Sequence, residues 1–246
     1  MRFPIALAFC TLAAAQTFEV ASIKPSAPDV HNSIIEPMPG GGLRIEGVPM
    51  KAILSWAYQV QNYQIAGGPG WVETENWSIV AKPSAPPPDG VPLEYEKMTE
   101  AQRATTADLV HRRLQALLAE HFHLVLRRET RDQPAYALMV AKGGAKVKEA
   151  VKPGYIRRGG GKIASNGGQM KALAQFLAID LGRPVEDRTG LAGYYEIQLE
   201  WTPEGRGEPG LSIFTAIQEQ LGLRLESTKG PVEVVVIDSI EKPVED

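Results

Sequence analysis

Apolar and polar positions alternate most cleanly over Tyr195-Glu196-Ile197-Gln198-Leu199-Glu200-Trp201, where the odd positions are apolar and the even ones polar. A period of two predicts a strand with one buried and one wet face. Residues 17–24 alternate in the same way and stop at Pro25, residues 43–46 do so briefly, and residues 77–81 form a further short strand. Elsewhere the period changes to that of a helix. Met50, Ile53, Leu54 and Ala57 recur at i, i+3, i+4 and i+7, and Met170, Leu173, Ala174, Leu177 and Leu181 make a second such stripe, stopped by Gly182. A longer helix is predicted to start at Thr99, with Gln102 as its capping-box partner. Val110, Leu114, Leu117, Leu118 and Phe122 line its buried face, and Phe214, Ile217 and Leu221 mark the last helix.

After the helix that starts at Thr99 and again after the last helix the pattern predicts a strand pair. The first joins residues 124–126 to 135–140 through a charged turn closed by Pro134. The second joins residues 223–225 to 232–237 through Thr228-Lys229-Gly230-Pro231. Residues 232–237 are apolar on both faces, as in a central strand.

The two halves also echo each other in letters. Gly41-Gly42-Leu43-Arg44-Ile45 leads into Met50-Lys51-Ala52, and Gly160-Gly161-Lys162-Ile163 leads into Met170-Lys171-Ala172. Glu120-His121-Phe122-His123-Leu124-Val125-Leu126 is matched by Glu219-Gln220-Leu221-Gly222-Leu223-Arg224-Leu225. A repeat of about 100 residues is too long for a solenoid unit. The expectation is an α+β protein of two homologous β-α-β-α-β-β units, each a small, mostly antiparallel sheet with two helices on one face. The units are placed at residues 16–147 and 163–246, joined by a Gly- and Lys/Arg-rich linker over 148–162.

Residues 1–15 stand apart from that pattern. Arg2, an apolar run to Ala15, and Ala13-Ala14-Ala15 before Gln16 have the order of a signal peptide, which predicts export to the periplasm or beyond. The run is shorter than the ~20 residues a membrane span needs. Cys10, the only cysteine, would leave with it, so no disulfide is expected in the mature chain. No later stretch is apolar enough to span a membrane. The net charge of −3, with basic residues dispersed, gives no electrostatic pull toward nucleic acid.

Candidate chemistry is sparse. Gly205-Arg206-Gly207-Glu208-Pro209-Gly210 fits the G-x-G-x-x-G spacing of a dinucleotide loop, but Pro209 removes a donor N–H and the helix that follows is short. His121 and His123, two apart, share one side if they lie in a strand, yet Gln220 and Gly222 stand at the matching positions, so no metal and no cofactor are expected. His111 is placed on the wet face of its helix and His31 in a loop. Ser239-Ile240-Glu241-Lys242 satisfies S-x-x-K at a strand end rather than on a helix. Asp187-Arg188-Thr189-Gly190 reads as a turn in which Asp187 accepts N–H groups. Glu73 and Glu75 are a conceivable carboxylate pair on a solvated rim.

Aromatic residues give the stronger lead. Tyr58, Tyr63, Trp71 and Trp77 surround Gly67-Gly68-Pro69-Gly70, and Tyr194, Tyr195 and Trp201 stand near the parallel place in the second half. Core packing explains such a set by itself. If part of it is exposed, Tyr58, Tyr63, Gly68, Pro69, Trp71 and Trp77, with Asp187 and Tyr194, would form a surface for an envelope protein, a peptide or a glycan.

Together these segments resemble the soil-associated family of exported bacterial proteins, a domain of unknown function with many paralogues in soil bacteria. The resemblance covers nearly all of residues 17–243 and rests on motifs in fixed order. They are Phe18-Glu-Val-Ala-Ser-Ile-Lys-Pro25, Gly67-Gly-Pro-Gly-Trp71, Leu117-Leu-Ala-Glu-His-Phe122, Pro134-Ala-Tyr-Ala-Leu138, Asp187-Arg-Thr-Gly-Leu191, Phe214-Thr-Ala-Ile-Gln-Glu-Gln-Leu-Gly-Leu223 and Val236-Ile-Asp238. It implies export and an envelope or extracellular setting and, in some relatives, fusion to antibiotic-sensor-type membrane peptidases. No catalytic residues come with it, and His121 and His123 depart from its pattern, where Arg and Lys are more usual. The element order is also similar to short periplasmic domains of secretins and TonB-dependent receptors, at the level of fold alone. The reading from sequence is therefore a non-catalytic binding or interaction module of the cell envelope. A hydrolase with a site between the units and a purely structural envelope protein are the alternatives.

Overall fold

A computed structural model describes residues 17–27, 30, 33–84, 91–203 and 210–243. Residues 1–15 and Cys10, His31, and 205–209 of the glycine-rich motif lie outside them. Contacts gather the chain into two compact units: the described residues up to Glu129 together with Val234 onward, and Thr130–Glu233.

The first unit runs β1 (Phe18–Pro25), β2 (Ile34–Met38), β3 (Gly42–Pro49), α1 (Met50–Tyr58), β4 (Ile65–Gly67), α2 (Trp71–Thr74), β5 (Asn76–Pro83) and α3 (Glu100–His121), and enters β6 (Val125–Val140). Four strands form an antiparallel sheet in the order β1-β5-β3-β2. The predicted periods hold here. Leu43, Ile45 and Ile79 of the sheet meet Met50, Ile53 and Leu54 of α1 and Leu114 and Leu118 of α3, all withdrawn from solvent. Each such side chain contributes about 1.5–3 kcal/mol by burial. α3 starts where its cap predicts: the Gln102 N–H donates to the Thr99 hydroxyl at 3.3 Å, and the Thr99 N–H donates to the Gln102 side-chain carbonyl at 2.9 Å.

The second unit runs β7 (Lys148–Ala150), β8 (Ile156–Gly159), β9 (Lys162–Gly168), α4 (Met170–Leu181), β10 (Val185–Asp187), β11 (Tyr194–Glu200) and α5 (Ile213–Leu221), and enters β12 (Leu223–Ser239). Its sheet is also antiparallel and four-stranded, in the order β7-β11-β9-β8. In β11 Tyr195, Ile197 and Leu199 are buried while Glu196, Gln198 and Glu200 face water, as the alternation requires. Leu173 and Leu177 of α4 and Ile217 and Leu221 of α5 close over Ile163, Ile197 and Leu138.

Two expectations fail, for identifiable reasons. The segment 148–162 is not a structureless linker, since β7 pairs with β11 and β8 with β9 within it. Most side chains of these two strands are exposed, so main-chain hydrogen bonds hold them without any apolar pattern. The division between the units falls instead at Glu129/Thr130 and Glu233/Val234.

The two strand pairs are likewise absent as pairs, because β6 and β12 each run unbroken through the expected turn. Pro134 and Pro231 occupy exposed positions, where a missing N–H is tolerated. Gly230 does not take the left-handed backbone that a tight hairpin turn demands. Consequently β6 begins in the first unit and ends in the second, and β12 does the reverse. In the first unit β4 pairs in parallel with residues 235–237 of β12, and in the second β10 pairs in parallel with residues 136–138 of β6. Residues 234–237 are buried throughout, consistent with their doubly apolar pattern.

Candidate functional site

The first unit contains a mostly apolar pocket of about 280 Å³ beside the N-terminal half of α3. Gln102, Thr106, Leu109 and Arg113 supply one wall. They follow at i, i+4, i+7 and i+11, which sets them on one stripe of the helix. Met98, buried just ahead of the Thr99 cap, and Gly41 in the turn between β2 and β3 supply another. Gly40 and Gly41 have φ of 79° and 81°, a conformation that favours glycine, and a Cβ on Gly41 would stand 3.1 Å from Arg113 Nη1. The glycine thus gives the guanidinium its space.

Among the described residues that line this pocket Arg113 is the one that carries a charge, and it is only 2% exposed. Its Nη1 donates to the Gly41 carbonyl at 3.2 Å, and its Cζ lies 6.0 Å from the Phe18 ring centroid, a cation–π placement. Burial pushes its pKa below the ordinary arginine value. A neighbouring depression that shares Met98 is lined by Glu36, Glu94 and Glu96. An apolar wall with a few placed polar groups is the usual make-up of a small-molecule site. The sequence carried a signal for it: Arg113 sits among Val110, Leu114 and Leu117 on the buried stripe of α3, where a charge is out of place.

The aromatic residues singled out in sequence lie mainly in packing. Trp77 is 2% exposed and meets Phe122 edge-on, ring centroids 5.0 Å apart, and Trp71 at 5.8 Å. Trp71 is half-buried, with Lys242 Nζ 5.7 Å from its centroid. Tyr58 and Tyr63 are half-buried as well. Burial pushes both phenols above their usual pKa, partly offset at Tyr58 by Arg128. Gly68 and Pro69 are exposed beside this cluster. Asp187 and Tyr194 belong to the second unit. There the Asp187 carboxylate accepts the Thr189 N–H at 3.0 Å and the Thr189 hydroxyl at 2.7 Å, the predicted turn, and Tyr194 borders an open depression with Phe176 and Tyr155.

Other candidate groups have separate partners. Glu73 binds Lys51 at 2.6 Å, and that hydrogen bond holds its carboxyl below the usual range, while Glu75 binds Lys242 at 2.6 Å, so the two do not act as a pair. Ser239 donates to the His123 carbonyl at 3.4 Å. His121 ends α3 and His123 follows it in a left-handed conformation, so neither lies in a strand. His123 Nδ1 is 3.7 Å from Glu241, and among the described residues no three His, Cys, Asp or Glu side chains gather as metal ligands would. His111 is half-buried, not solvated, with its ring edge-on to Trp56 at 4.3 Å. No described helix is long and apolar enough to cross a membrane.

A family model described as Protein of unknown function (DUF3738) matches residues 51–240. Comparison with curated proteins and with solved structures finds no significant match.

Proposed function

The chain belongs to this family of unknown function, and we propose that it is an exported, non-catalytic binding module made of a duplicated unit, with its ligand site in the pocket beside α3. The pocket is the observation that carries this reading. It is concave and mostly apolar, and among its described lining residues Gln102, Thr105, Thr106 and Arg113 are polar or charged. Its volume of about 280 Å³ lies at the small end of the range of small-molecule sites.

The duplication draws support from the two sheets, whose strand orders match place for place, and from the letter echoes at Met50 and Met170. Against that common plan α3 is the departure: it has 22 residues where α5 has 9, and the extra turns at its start form the pocket wall. An addition that builds a cavity points to a ligand rather than to a purely structural role. Export rests on the order of charged, apolar and small residues over 1–15. A receiving surface for an envelope protein, peptide or glycan around exposed Gly68 and Pro69 is a second, separable part of the reading.

The test uses 1-octanol, of matching size, followed by ligand-observed NMR on the chain and on Thr105→Trp, which places an indole at the pocket wall. Octanol signals that broaden with the parent chain and not with Thr105→Trp support the site. Equal broadening with both variants, or with neither, overturns it.

A further inference from the structure

We infer that Asn166 is a site of self-modification: the folded chain converts it, without an enzyme, to aspartate and isoaspartate through a cyclic imide formed with the nitrogen of Gly167. This is independent of the pocket beside α3. Asn166 is exposed in β9, and Gly167 follows it as a bulge. Glu196 of β11 faces Asn166 and Tyr195 faces Gly168, so Gly167 falls between the paired positions. Its N–H donates at 3.1 Å to the hydroxyl of Ser165, a local side-chain bond rather than a rung of the ladder. The Asn166 carboxamide borders that nitrogen. A Cβ on Gly154 would collide with Asn166 Oδ1 and stand 2.9 Å from the Gly167 nitrogen, so both atoms line one small space over Gly154. The fold also demands glycine at 167, where a Cβ would run into the Lys152 carbonyl and lie 2.9 Å from the Pro153 carbonyl carbon. The attacking nitrogen is thereby left without a side chain to shield it. The other asparagines, Asn32, Asn62 and Asn76, precede Ser33, Tyr63 and Trp77 instead.

The Gly167 nitrogen gives its proton to solvent and bonds to Asn166 Cγ. The Cγ–Nδ2 bond breaks, and the amide takes up a proton and leaves as ammonia. Nucleophile and carbonyl belong to adjacent residues, so no second molecule has to be brought to the site. Water then opens the five-membered imide. Opening at Cγ restores the main chain and leaves aspartate. Opening at the main-chain carbonyl leaves isoaspartate, with the chain rerouted through Cγ. One water enters and one ammonia leaves. Aspartate at 166 stands directly opposite Glu196, a like-charge pair that loosens this end of the sheet.

The experiment incubates the folded full chain in 18O-labelled water near neutral pH and follows each asparagine by peptide mapping, with electron-transfer fragmentation to separate the isomers. Asn166 is expected to lose its amide at least about tenfold faster than Asn62 or Asn76. The product should contain isoaspartate as well as aspartate, carry solvent oxygen, and form faster as the pH rises. The same rate is then measured in urea below the unfolding transition, with circular dichroism reporting the fold. A rate that stays flat there places the reaction in the native bulge. Equal rates at Asn62, Asn76 and Asn166, aspartate without isoaspartate, or a rate that climbs from the first addition of urea each overturns the inference.

Discussion

His123 and Gly222 turn the backbone in the same unusual way, with φ of 48° and 63°, Gly222 as the cap of the helix that ends at Leu221 and His123 one residue past Phe122, the cap of the helix that ends at His121. Each residue stands at the same letter of the echo between residues 120–126 and 219–225. A second pair behaves alike: Gln59 and Gly182 cap α1 and α4 with φ of 55° and 59°. The left-handed region costs a side-chain-bearing residue about 1–2 kcal/mol relative to glycine. The first unit therefore carries strain at two bends where the second has glycine.

That asymmetry predicts opposite effects of matched substitutions. His123→Gly should raise the unfolding free energy by about 0.5–1 kcal/mol, because strain relief exceeds the loss of an exposed contact with Glu241 at 3.7 Å. Gly222→Ala should lower it by about 2 kcal/mol or more, since a Cβ there also lies 2.2 Å from the Gly144 carbonyl oxygen. Urea denaturation of both variants measures the pair. Destabilisation by His123→Gly would remove the strain argument.

Gly67 holds the parallel pairing of β4 to β12. Its φ is 78°, and a Cβ would approach the Ile237 carbonyl oxygen to 2.9 Å. Gly67→Ala should cost about 1–3 kcal/mol and speed amide exchange over 235–237. Gly70, with φ of −57° and nothing near its missing side chain, is the control. Gly70→Ala should be neutral or stabilise by about 0.5 kcal/mol. Thermal melts and hydrogen exchange distinguish the two, and equal losses at both positions would mean that Gly67 has no special place.

What the letters disclosed depended on whether each element's stability comes from its own side chains. α3 was legible to its first residue because Thr99 and Gln102 form its cap and Leu114 and Leu118 its stripe. β11 was legible because one face is wholly buried. β7 and β8 were not, because partners supply their hydrogen bonds and their side chains face water. The unbroken course of β6 was hidden for a related reason: charges at 127–132 look the same in a turn and on an exposed strand. Trp77 stood in the aromatic set that core packing explains by itself, and it is core. Arg113 was overlooked although a guanidinium on an apolar stripe is the more unusual signal, because charge on a helix is ordinarily counted as surface.

In the second unit Arg158 of β8 grips Asp180 of α4 with two hydrogen bonds, Nε to Oδ2 at 2.9 Å and Nη2 to Oδ1 at 2.7 Å. The pair is 31% and 20% exposed, and its hydrogen bonds raise the arginine's pKa above the ordinary value. A fork of this kind loses its second bond in Arg158→Lys. The expected cost is about 0.5–1 kcal/mol, with a similar coupling in a double-mutant cycle with Asp180→Asn. A coupling near zero would reduce the contact to a solvated encounter and leave β8 held by its main chain alone.

The histidine between α1 and α3 sets a pH dependence whose sign follows from its surroundings. Burial against Trp56, edge-on at 4.3 Å, lowers the His111 pKa, and the opposing pull of Asp108 is the smaller effect. With the folded pKa below the unfolded value of 6.5, the unfolded chain binds more protons as acid is added. The contribution of His111 is therefore fully present above about pH 6.5 and is lost as the pH falls toward the folded pKa. His111→Gln removes the titration while keeping a polar side chain of similar reach. Denaturation between pH 8 and 5 should show the parent's advantage over His111→Gln diminishing as the solution is acidified. Carboxylates elsewhere titrate in both proteins and cancel in the difference. If the advantage grew in acid instead, Asp108 would outweigh burial, and the contact with Trp56 would be that of an imidazolium on an indole.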